Sequence, residues 1–354
     1  MSDTYRLIDS DVHPLVMNAA DTFPYMPVAW RKHFDFPEFL AAAARVDRYR
    51  GMPPASVDPN PVNANPKRLA SDHLEANGMD LALLVPMQGA SLNARVDAAA
   101  SAVLAAALNG YFIEKWLEAD QRYRLAACVA PQEPRRAARE IRQRAKDPRV
   151  AAVLLPLWTL PMGSNHYDPI YAAAEESGLP IVIHPTGVEG HYQGVQQLGA
   201  GTHRSVSSRQ VLLHELAESN ISSLIFEGVF VRHPGLRVIF SECSFAWSAS
   251  FIWRLDKEAR NFYFEMPWMK DLPSVYFRRH IRLATQPLGS LPAPEGAAAE
   301  VARLAHAEDT VMYGSHFPLY DHEPPSALDR LPESIQDSVR HGLAESTLRL
   351  ALHA

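Results

Sequence analysis

The segment YRLIDSDVH at residues 5–13 decides the fold, because it is the first of eight short apolar runs in the sequence. Longer segments of mixed polarity separate these runs. This alternation is typical of parallel strands joined by crossover helices, and eight such units predict an α/β fold, a (β/α)8 TIM-like barrel. The other predicted strands are LALLVPM at 81–87, RLAACVAP at 124–131, AAVLLPL at 151–157, LPIVIHP at 179–185, RVIFSEC at 237–243, RLATQ at 282–286 and TVMYGSH at 310–316.

The chain of 354 residues is long enough for one large barrel, and no linker or repeat divides it, so we expect a single domain over residues 1–354. Two irregular stretches predict insertions, a Pro- and Asn-rich loop or lid at about 45–70 and a Gly-rich loop followed by a helix at about 187–220. The predicted helices between the strands include 97–118, 134–146, 167–177, 222–232, 245–262 and 297–307.

The composition excludes several classes of protein. Hydrophobic residues make up 47% and charged residues 21%, which are ordinary globular values, and the net charge of −6 without a basic block argues against nucleic acid or an anionic membrane as partner. The first residues, MSDTYRLIDSDVHP, do not have the pattern of a signal peptide, and no apolar stretch reaches the ~20 residues of a membrane span. Cys128 and Cys243 lie in apolar runs, which predicts buried, reduced thiols in a cytoplasmic protein.

Side chains with metal-binding atoms stand at the ends of four predicted strands. Any one of them could be a hydrogen-bonded core or capping residue. Burying several carboxylates and imidazoles together is costly, however, and one or two divalent ions would offset that cost. Because the carboxyl ends of barrel strands meet at one mouth, the set predicts a metal site there. Its members are Asp9, Asp11 and His13 on the first strand, His184 on the fifth, Glu242 on the sixth and His316 on the eighth.

Longer motifs give the chain a resemblance to a known family. The chain resembles the amidohydrolase-2 family, the metal-dependent barrels that include aminocarboxymuconate semialdehyde decarboxylase and related decarboxylases and hydrolases. The resemblance implies a barrel of the amidohydrolase type and spans nearly the whole chain. It rests on IDSDVHP at 8–14, FPYMPVAW at 23–30, WLEADQRYRLAACVAPQEP at 116–134, LPIVIHPTG at 179–187, SLIFEGVFVRHPGLRVIFSECSFAW at 223–247, WRLDKEAR at 253–260, TQP at 285–287 and YGSHFPLYD at 313–321.

The resemblance implies roles for particular residues. Asp11 and His13 match the ligand pair of the first strand, and His184 matches the histidine ligand of the fifth. Glu242 stands where members have a histidine or glutamate, as a ligand or a carboxylate in the pocket. The departure is at the eighth strand, where His316 replaces the aspartate that binds metal and shuttles the proton in hydrolysis or decarboxylation. A neutral imidazole can bind metal, but it cannot act as that carboxylate base, which puts ordinary hydrolysis in doubt.

The second insertion contributes three further histidines near the predicted mouth. Among them His203, at the start of the predicted helix, is the best extra metal ligand and His191 is a weaker one. His214 lies in an amphipathic segment, VLLHELAE, and is predicted to be a surface or packing residue. Several imidazoles with two carboxylates suit iron or manganese, and also zinc, with room for a second ion.

The altered ligand set is similar to the branch of the family that consists of non-heme diiron monooxygenases, as in platensimycin and platencin biosynthesis. That resemblance implies two iron ions, with His316 and Glu242 as catalytic residues, and an apolar substrate such as a diterpenoid CoA thioester. It also implies a ferredoxin-type electron donor, since the sequence has no dinucleotide fingerprint. The alternative is a decarboxylase or hydrolase with one zinc or manganese ion, and a third hypothesis is a barrel that binds a ligand without catalysis. Relatives are frequently homodimers.

Overall fold

A computed structural model describes residues 5–34, 61–186, 196, 205–290 and 296–350 of the chain. Within these ranges, eight parallel strands form one sheet whose spatial order follows the chain. All eight predicted strands are confirmed, each shorter than its apolar run. The strands are β1 (Ile8–Val12), β2 (Leu81–Leu84), β3 (Tyr123–Cys128), β4 (Val150–Leu154), β5 (Ile181–Ile183), β6 (Val238–Phe240), β7 (Ile281–Ala284) and β8 (Val311–Met312).

Every residue of these strands is buried, which explains why the strands are continuous apolar runs rather than alternating ones. The register aligns the strand ends. Ile181 pairs with Val238 and Ile183 pairs with Phe240, so the residues that follow β5 and β6 emerge at the same edge of the sheet. The polar residues after the apolar runs are therefore gathered at the mouth of the barrel.

Backbone hydrogen bonds between the first and last strands close the barrel. Ser10 N donates to Tyr313 O at 3.0 Å, His13 N donates to Phe317 O at 2.9 Å, and His316 N donates to Asp11 O at 3.0 Å. The strands approach so closely that a Cβ added at Gly314 would lie 3.0 Å from Asp11 Cβ. This seam brings the polar ends of the first and eighth strands side by side.

Helices lie between the strands and cover the outside of the sheet, as the barrel predicts. Two short segments among them are π-helical turns, Ala70–Glu75 and Ser338–Gly342. Within the described ranges the helices are α1 (Val28–Phe34), α2 (Pro66–Leu69), α3 (Met87–Ala90), α4 (Ala98–Lys115), α5 (Pro134–Arg144), α6 (Asp168–Glu176), α7 (Val206–Val211), α8 (His214–Phe226), α9 (Val229–Arg232), α10 (Ser248–Asn261), α11 (Pro273–His280), α12 (Ala297–Leu304), α13 (Ala307–Thr310), α14 (Glu333–Asp337) and α15 (Leu343–Thr347).

The helix predicted at 222–232 is wrong in its limits. α8 begins earlier, at His214, and ends at Phe226, and α9 begins only at Val229. Between them Gly228 has a φ of +73°, a left-handed conformation that glycine adopts without steric cost and that ends a helix. The apolar pattern continues through this glycine, so the pattern alone indicates one helix.

Both predicted insertions lie partly outside the described residues. Residues 35–60, which include most of the first insertion, are among those not described, and its last part, from residue 61, contains a 3-10 turn at Val62–Ala64 and then α2. Of the second insertion, residue 196 and residues 205–220 are described, and these form α7 and the first half of α8. His191 and His203 therefore lie outside the described residues. The extent of the domain stays a prediction.

The structure bears on two further expectations, one about membrane-spanning segments and one about the two cysteines. Among the described helices, none has both the length and the apolarity that crossing a membrane requires. Cys128 and Cys243 are buried and no disulfide joins them, as predicted. Burial raises the pKa of the Cys128 thiol well above its usual range, so this side chain packs as an uncharged apolar group.

We expect Gly89→Ala in α3 to lower the free energy of unfolding by about 1–3 kcal/mol, because an added Cβ would overlap the Cys128 thiol and lie 3.3 Å from Leu154 in a closely packed region. Chemical denaturation measures the effect. Gly342→Ala is the control, since its nearest neighbour would be 3.7 Å away and the site is helical. Equal stability of the two variants would contradict the prediction.

Candidate metal centre

Five of the six strand-end residues that the sequence analysis selected converge at the mouth of the barrel. Asp11 is part of β1 and His13 follows it directly, while the others stand in the loops after β5, β6 and β8. All five side chains are almost fully buried, with exposures of 0–2%. Their convergence supports the inference from strand ends. The residues are Asp11, His13, His184, Glu242 and His316.

The distances between donor atoms suit a single cation. Asp11 lies between two imidazoles, with Oδ1 3.6 Å from His13 Nε2 and Oδ2 3.5 Å from His184 Nε2. The ring centres of His13, His184 and His316 are 4.7–5.3 Å apart. Donors that share an ion at about 2.1 Å in tetrahedral geometry stand about 3.4 Å from one another. The two carboxylate–imidazole separations are close to that value.

Hydrogen bonds at Nδ1 orient all three imidazoles. His13 Nδ1 lies 2.9 Å from Val85 O, and His184 Nδ1 lies 2.6 Å from Pro185 O. A carbonyl oxygen only accepts, so each Nδ1 carries the proton and each Nε2 carries the lone pair. His316 Nδ1 is held in the same way, 2.9 Å from Asp321 Oδ1. Such outer hydrogen bonds are typical of metal-binding histidines.

Glu242 and Asp321 extend the cluster toward the solvent side. Glu242 Oε2 lies 3.7 Å from His316 Nε2 and 3.8 Å from His184 Nδ1. Among the described residues, two groups of ligand atoms lie within 4.8 Å of one another, and they share His316. The first also contains His13 and His184, and the second contains Glu242 and Asp321. The sequence analysis did not select Asp321, although it stands at the end of the GSHFPLYD motif.

The backbone is strained at this cluster. Glu242 has a φ of 55° and His316 a φ of 62°, both in the left-handed region that residues other than glycine rarely adopt. Each such residue costs about 1–3 kcal/mol and persists only where the surrounding structure enforces it. Here the conformation directs the two side chains toward each other across the mouth.

A second layer of buried polar groups fixes the backbone that carries the donors. Asp9 Oδ1 accepts from the backbone N of Asp11 at 3.0 Å and from that of Ser315 at 2.9 Å. Asp9 Oδ2 lies 2.8 Å from His73 Nε2, and the His73 ring stacks on Phe317 at 4.1 Å. Asp9, grouped with the ligands in the sequence analysis, thus holds the strands that carry them. His73 was missed, because nothing in the helical segment around it distinguishes a partner of Asp9.

A cavity of about 450 Å³ opens beside the cluster. Glu242 and Asp321 belong to its wall, so the cavity reaches the outer part of the cluster, and His316 lies behind these two carboxylates. His214, predicted to be a surface or packing residue, has a side chain that is 32% exposed, and its ring lies 6.1 Å from that of Trp247 in the wall of this cavity. At the start of α8, His214 Nδ1 lies 3.0 Å from Val211 O.

Comparisons with known proteins agree with this architecture. The model of a family described as amidohydrolase matches residues 8–350. Because the match spans nearly the whole sequence, the chain belongs to the amidohydrolase family. No curated protein matches the chain significantly.

Solved structures with the same fold are distant in sequence. The 5-carboxyvanillate decarboxylase of Sphingomonas paucimobilis is 21% identical, with 98% of this chain and 100% of that chain covered and a TM-score of 0.70. An amidohydrolase from Mycobacterium avium subsp. paratuberculosis K-10 is 20% identical over 97% and 98% of the two chains, with a TM-score of 0.71. The dihydroxybenzoic acid decarboxylase of Polaromonas sp. JS666, solved with manganese and 2-nitroresorcinol, is 15% identical over 97% of each chain, with a TM-score of 0.63.

We expect His73→Ala to weaken the binding of Mn²⁺ or Zn²⁺ by about 10–100-fold, because Asp9 would lose the partner that holds it. Competition with a chelator measures the affinity. His73→Gln keeps a donor for Asp9 and should restore part of it. His341→Ala is the control, since His341 also lies in a π-helical turn and pairs with a carboxylate, Glu345, at 2.7 Å. An unchanged affinity in His73→Ala would contradict a positioning role.

Proposed function

We propose that this member of the amidohydrolase family is a metal-dependent decarboxylase with one divalent ion, manganese or zinc, held by Asp11, His13, His184 and His316. One observation carries the proposal: three imidazoles with fixed tautomers and one carboxylate converge, fully buried, beside a cavity. The decarboxylases among the similar structures support the type of reaction, and those solved with manganese support the metal.

The donor set fits a divalent cation in charge as well as in geometry. Three neutral imidazoles and one carboxylate leave a net positive charge when a dication binds, which suits an anionic substrate. The ion would supply Lewis-acid stabilisation of negative charge on the bound carboxylic acid. The chain itself supplies the fixed donors, the dry surroundings and the shape of the cavity.

Decarboxylation also needs a proton. The bond between the substrate carbon and its carboxylate breaks, carbon dioxide leaves, and the electron pair that stays on the carbon takes up one proton. Glu242 is the group placed to deliver it, because its carboxylate belongs both to the cavity wall and to the cluster, 3.7 Å from His316. We assign Glu242 Oε2 to hold and transfer this proton.

His316 stands where the family resemblance implies an aspartate that binds metal and transfers the proton. We assign it the metal binding but not the proton transfer. Its Nδ1–H is directed to Asp321 Oδ1, so the lone pair of Nε2 faces the other imidazoles. In this arrangement His316 binds the ion and Asp321 orients it. The negative charge that this aspartate would bring is supplied by Asp321, which contacts the far side of the His316 ring.

The oxygenase hypothesis from the sequence analysis gains no support from the described residues or from the comparisons, which favour its alternative. A second ion would need the group of Glu242, His316 and Asp321, but His316 already belongs to the first group and its Nδ1 is bonded to Asp321. The two iron ions, the CoA-linked substrate and the ferredoxin-type donor therefore stay predictions of that hypothesis alone.

We expect the chain, loaded with Mn²⁺ or Zn²⁺, to bind about one ion and to release carbon dioxide from a member of a panel of aromatic acids that includes 5-carboxyvanillate and dihydroxybenzoates. Elemental analysis and carbon dioxide detection measure the two properties. His13→Ala and His184→Ala should lose the ion, while His33→Ala, an exposed histidine of α1, should retain it. Two bound irons with oxygen-dependent turnover would replace the proposal with the oxygenase.

We expect Glu242→Gln to keep its metal and to lose decarboxylation by about 100-fold or more, because the amide cannot transfer the proton. Glu300→Gln, on the exposed face of α12, is the matched control. Single-turnover rates with the substrate from the panel decide the outcome. A rate in Glu242→Gln equal to that of the control would remove Glu242 from this role.

A further inference from the structure

One buried amide in the wall of the cavity belongs to neither group of candidate metal ligands. Gln286 is the second residue after β7, and it lines the cavity together with Glu242 and Asp321. The residue is only 1% exposed. In small-molecule sites, a few fixed polar groups in a mostly apolar wall set the orientation of the ligand, so the hydrogen bonds of this amide matter.

Two hydrogen bonds fix the orientation of Gln286. Its Nε2 donates to the backbone O of Asp321 at 3.2 Å. A carbonyl oxygen only accepts, so the NH₂ group has to face Asp321 and Oε1 has to face away from it. The backbone O of Gln286 accepts from Ser244 N at 3.1 Å. The residue thereby joins the segments that follow β6, β7 and β8.

The amide oxygen of Gln286 is left without a donor. No residue of the described chain donates a hydrogen bond to Oε1. Among the described residues of the cavity wall, it is the one buried polar side-chain atom in this condition. A buried acceptor without a donor is costly, and native proteins keep few of them, so each needs an explanation such as a bound group that supplies the donor.

We propose that Gln286 Oε1 determines which substrates bind, by accepting a hydrogen bond from an O–H or N–H group on the bound acid. The inference rests on the proposed function, because it takes the cavity as the substrate site. A methyl ether in place of the hydroxyl would bring no donor to an acceptor whose orientation is fixed. The site therefore rejects the ether, since binding it would leave the buried oxygen unpaired.

The acceptor lies close to the metal centre. Asp321 joins the two, because its Oδ1 lies 2.9 Å from His316 Nδ1 while its backbone O accepts from Gln286. Trp247 supplies an apolar part of the same wall, and its Nε1 donates to Cys243 O at 2.8 Å, which holds the ring in place. The cavity volume of about 450 Å³ is within the range of small-molecule sites. An aromatic acid with a donor on its ring fits this combination.

Pairs of ligands that differ only in the donor test the proposal. The probes are 2-, 3- and 4-hydroxybenzoate against the matching methoxybenzoates, and the aminobenzoates against their dimethylamino forms, titrated calorimetrically into the chain loaded with Mn²⁺ or Zn²⁺. At one ring position or more, the natural chain should bind the donor form about tenfold or more tightly than its methylated partner. Equal binding at every position would assign the oxygen to a bound water and overturn the proposal, as would the failure of every probe to bind.

Variants separate recognition from a structural role. Gln286→Met removes the acceptor and keeps the length of the side chain, so the preference should fall by about tenfold, toward equal binding. A purely structural role would weaken both members of a pair alike, and an unchanged ratio would therefore contradict the proposal. Gln336→Met is the matched control, because Gln336 in α14 also donates through Nε2 to a backbone oxygen, Leu331 O at 3.0 Å, and lies outside the cavity wall.

The proposal stays testable if Gln286→Met does not fold, as judged by circular dichroism and bound metal. Gln286→Asn then retracts the acceptor by one methylene group and should lower the same ratio. Binding needs no turnover, so the two proposals fail separately. A chain that prefers the donor forms through Gln286 but releases no carbon dioxide keeps this inference and loses the decarboxylase. Decarboxylation with a ratio that does not depend on Gln286 overturns the inference alone.

Discussion

The closure between β1 and β8 is the constraint on which the rest of the structure depends. Three backbone hydrogen bonds across this seam set Asp11 and His13 beside His316, although the two strands come from opposite ends of the chain. Without closure the first and last strands would present their polar residues to solvent at two separate sheet edges. With closure they share one buried point, where their desolvation makes a cation the favourable partner.

Two layers of interactions keep this point in a fixed geometry. In the inner layer, hydrogen bonds to Nδ1 set the tautomer of each histidine, and two of the three acceptors are backbone carbonyls, which cannot change protonation. In the outer layer, the Asp9 carboxylate bridges the backbone of Asp11 in β1 and that of Ser315 in the segment after β8, and His73 anchors it. The same groups therefore hold the barrel together and align the donors, so fold and site are not separable here.

Much of the fold and of the metal centre could be predicted from the sequence. A barrel strand is a short apolar run, and metal-binding side chains stand at the ends of four such runs. That rule located all eight strands and brought Asp11, His13, His184, Glu242 and His316 together. It could not find His73, whose importance comes from a contact with Asp9 that is 64 residues away in the chain. Nor could it find Asp321, since its contact with His316 Nδ1 follows from how the loop after β8 folds. The oxygenase expectation shows a related limit: counting histidines does not reveal which ring nitrogens are already hydrogen-bonded.

The position of the seam has a consequence for how the protein is made. His13 leaves the ribosome 303 residues before His316, so the donor set does not exist until the segment after β8 has been translated. A product truncated before β8 retains His13 and His184 but has neither the closing strand nor the third imidazole. Incomplete chains would thus expose an open sheet edge with a partial metal site, which is the kind of surface that quality-control factors remove from the cell.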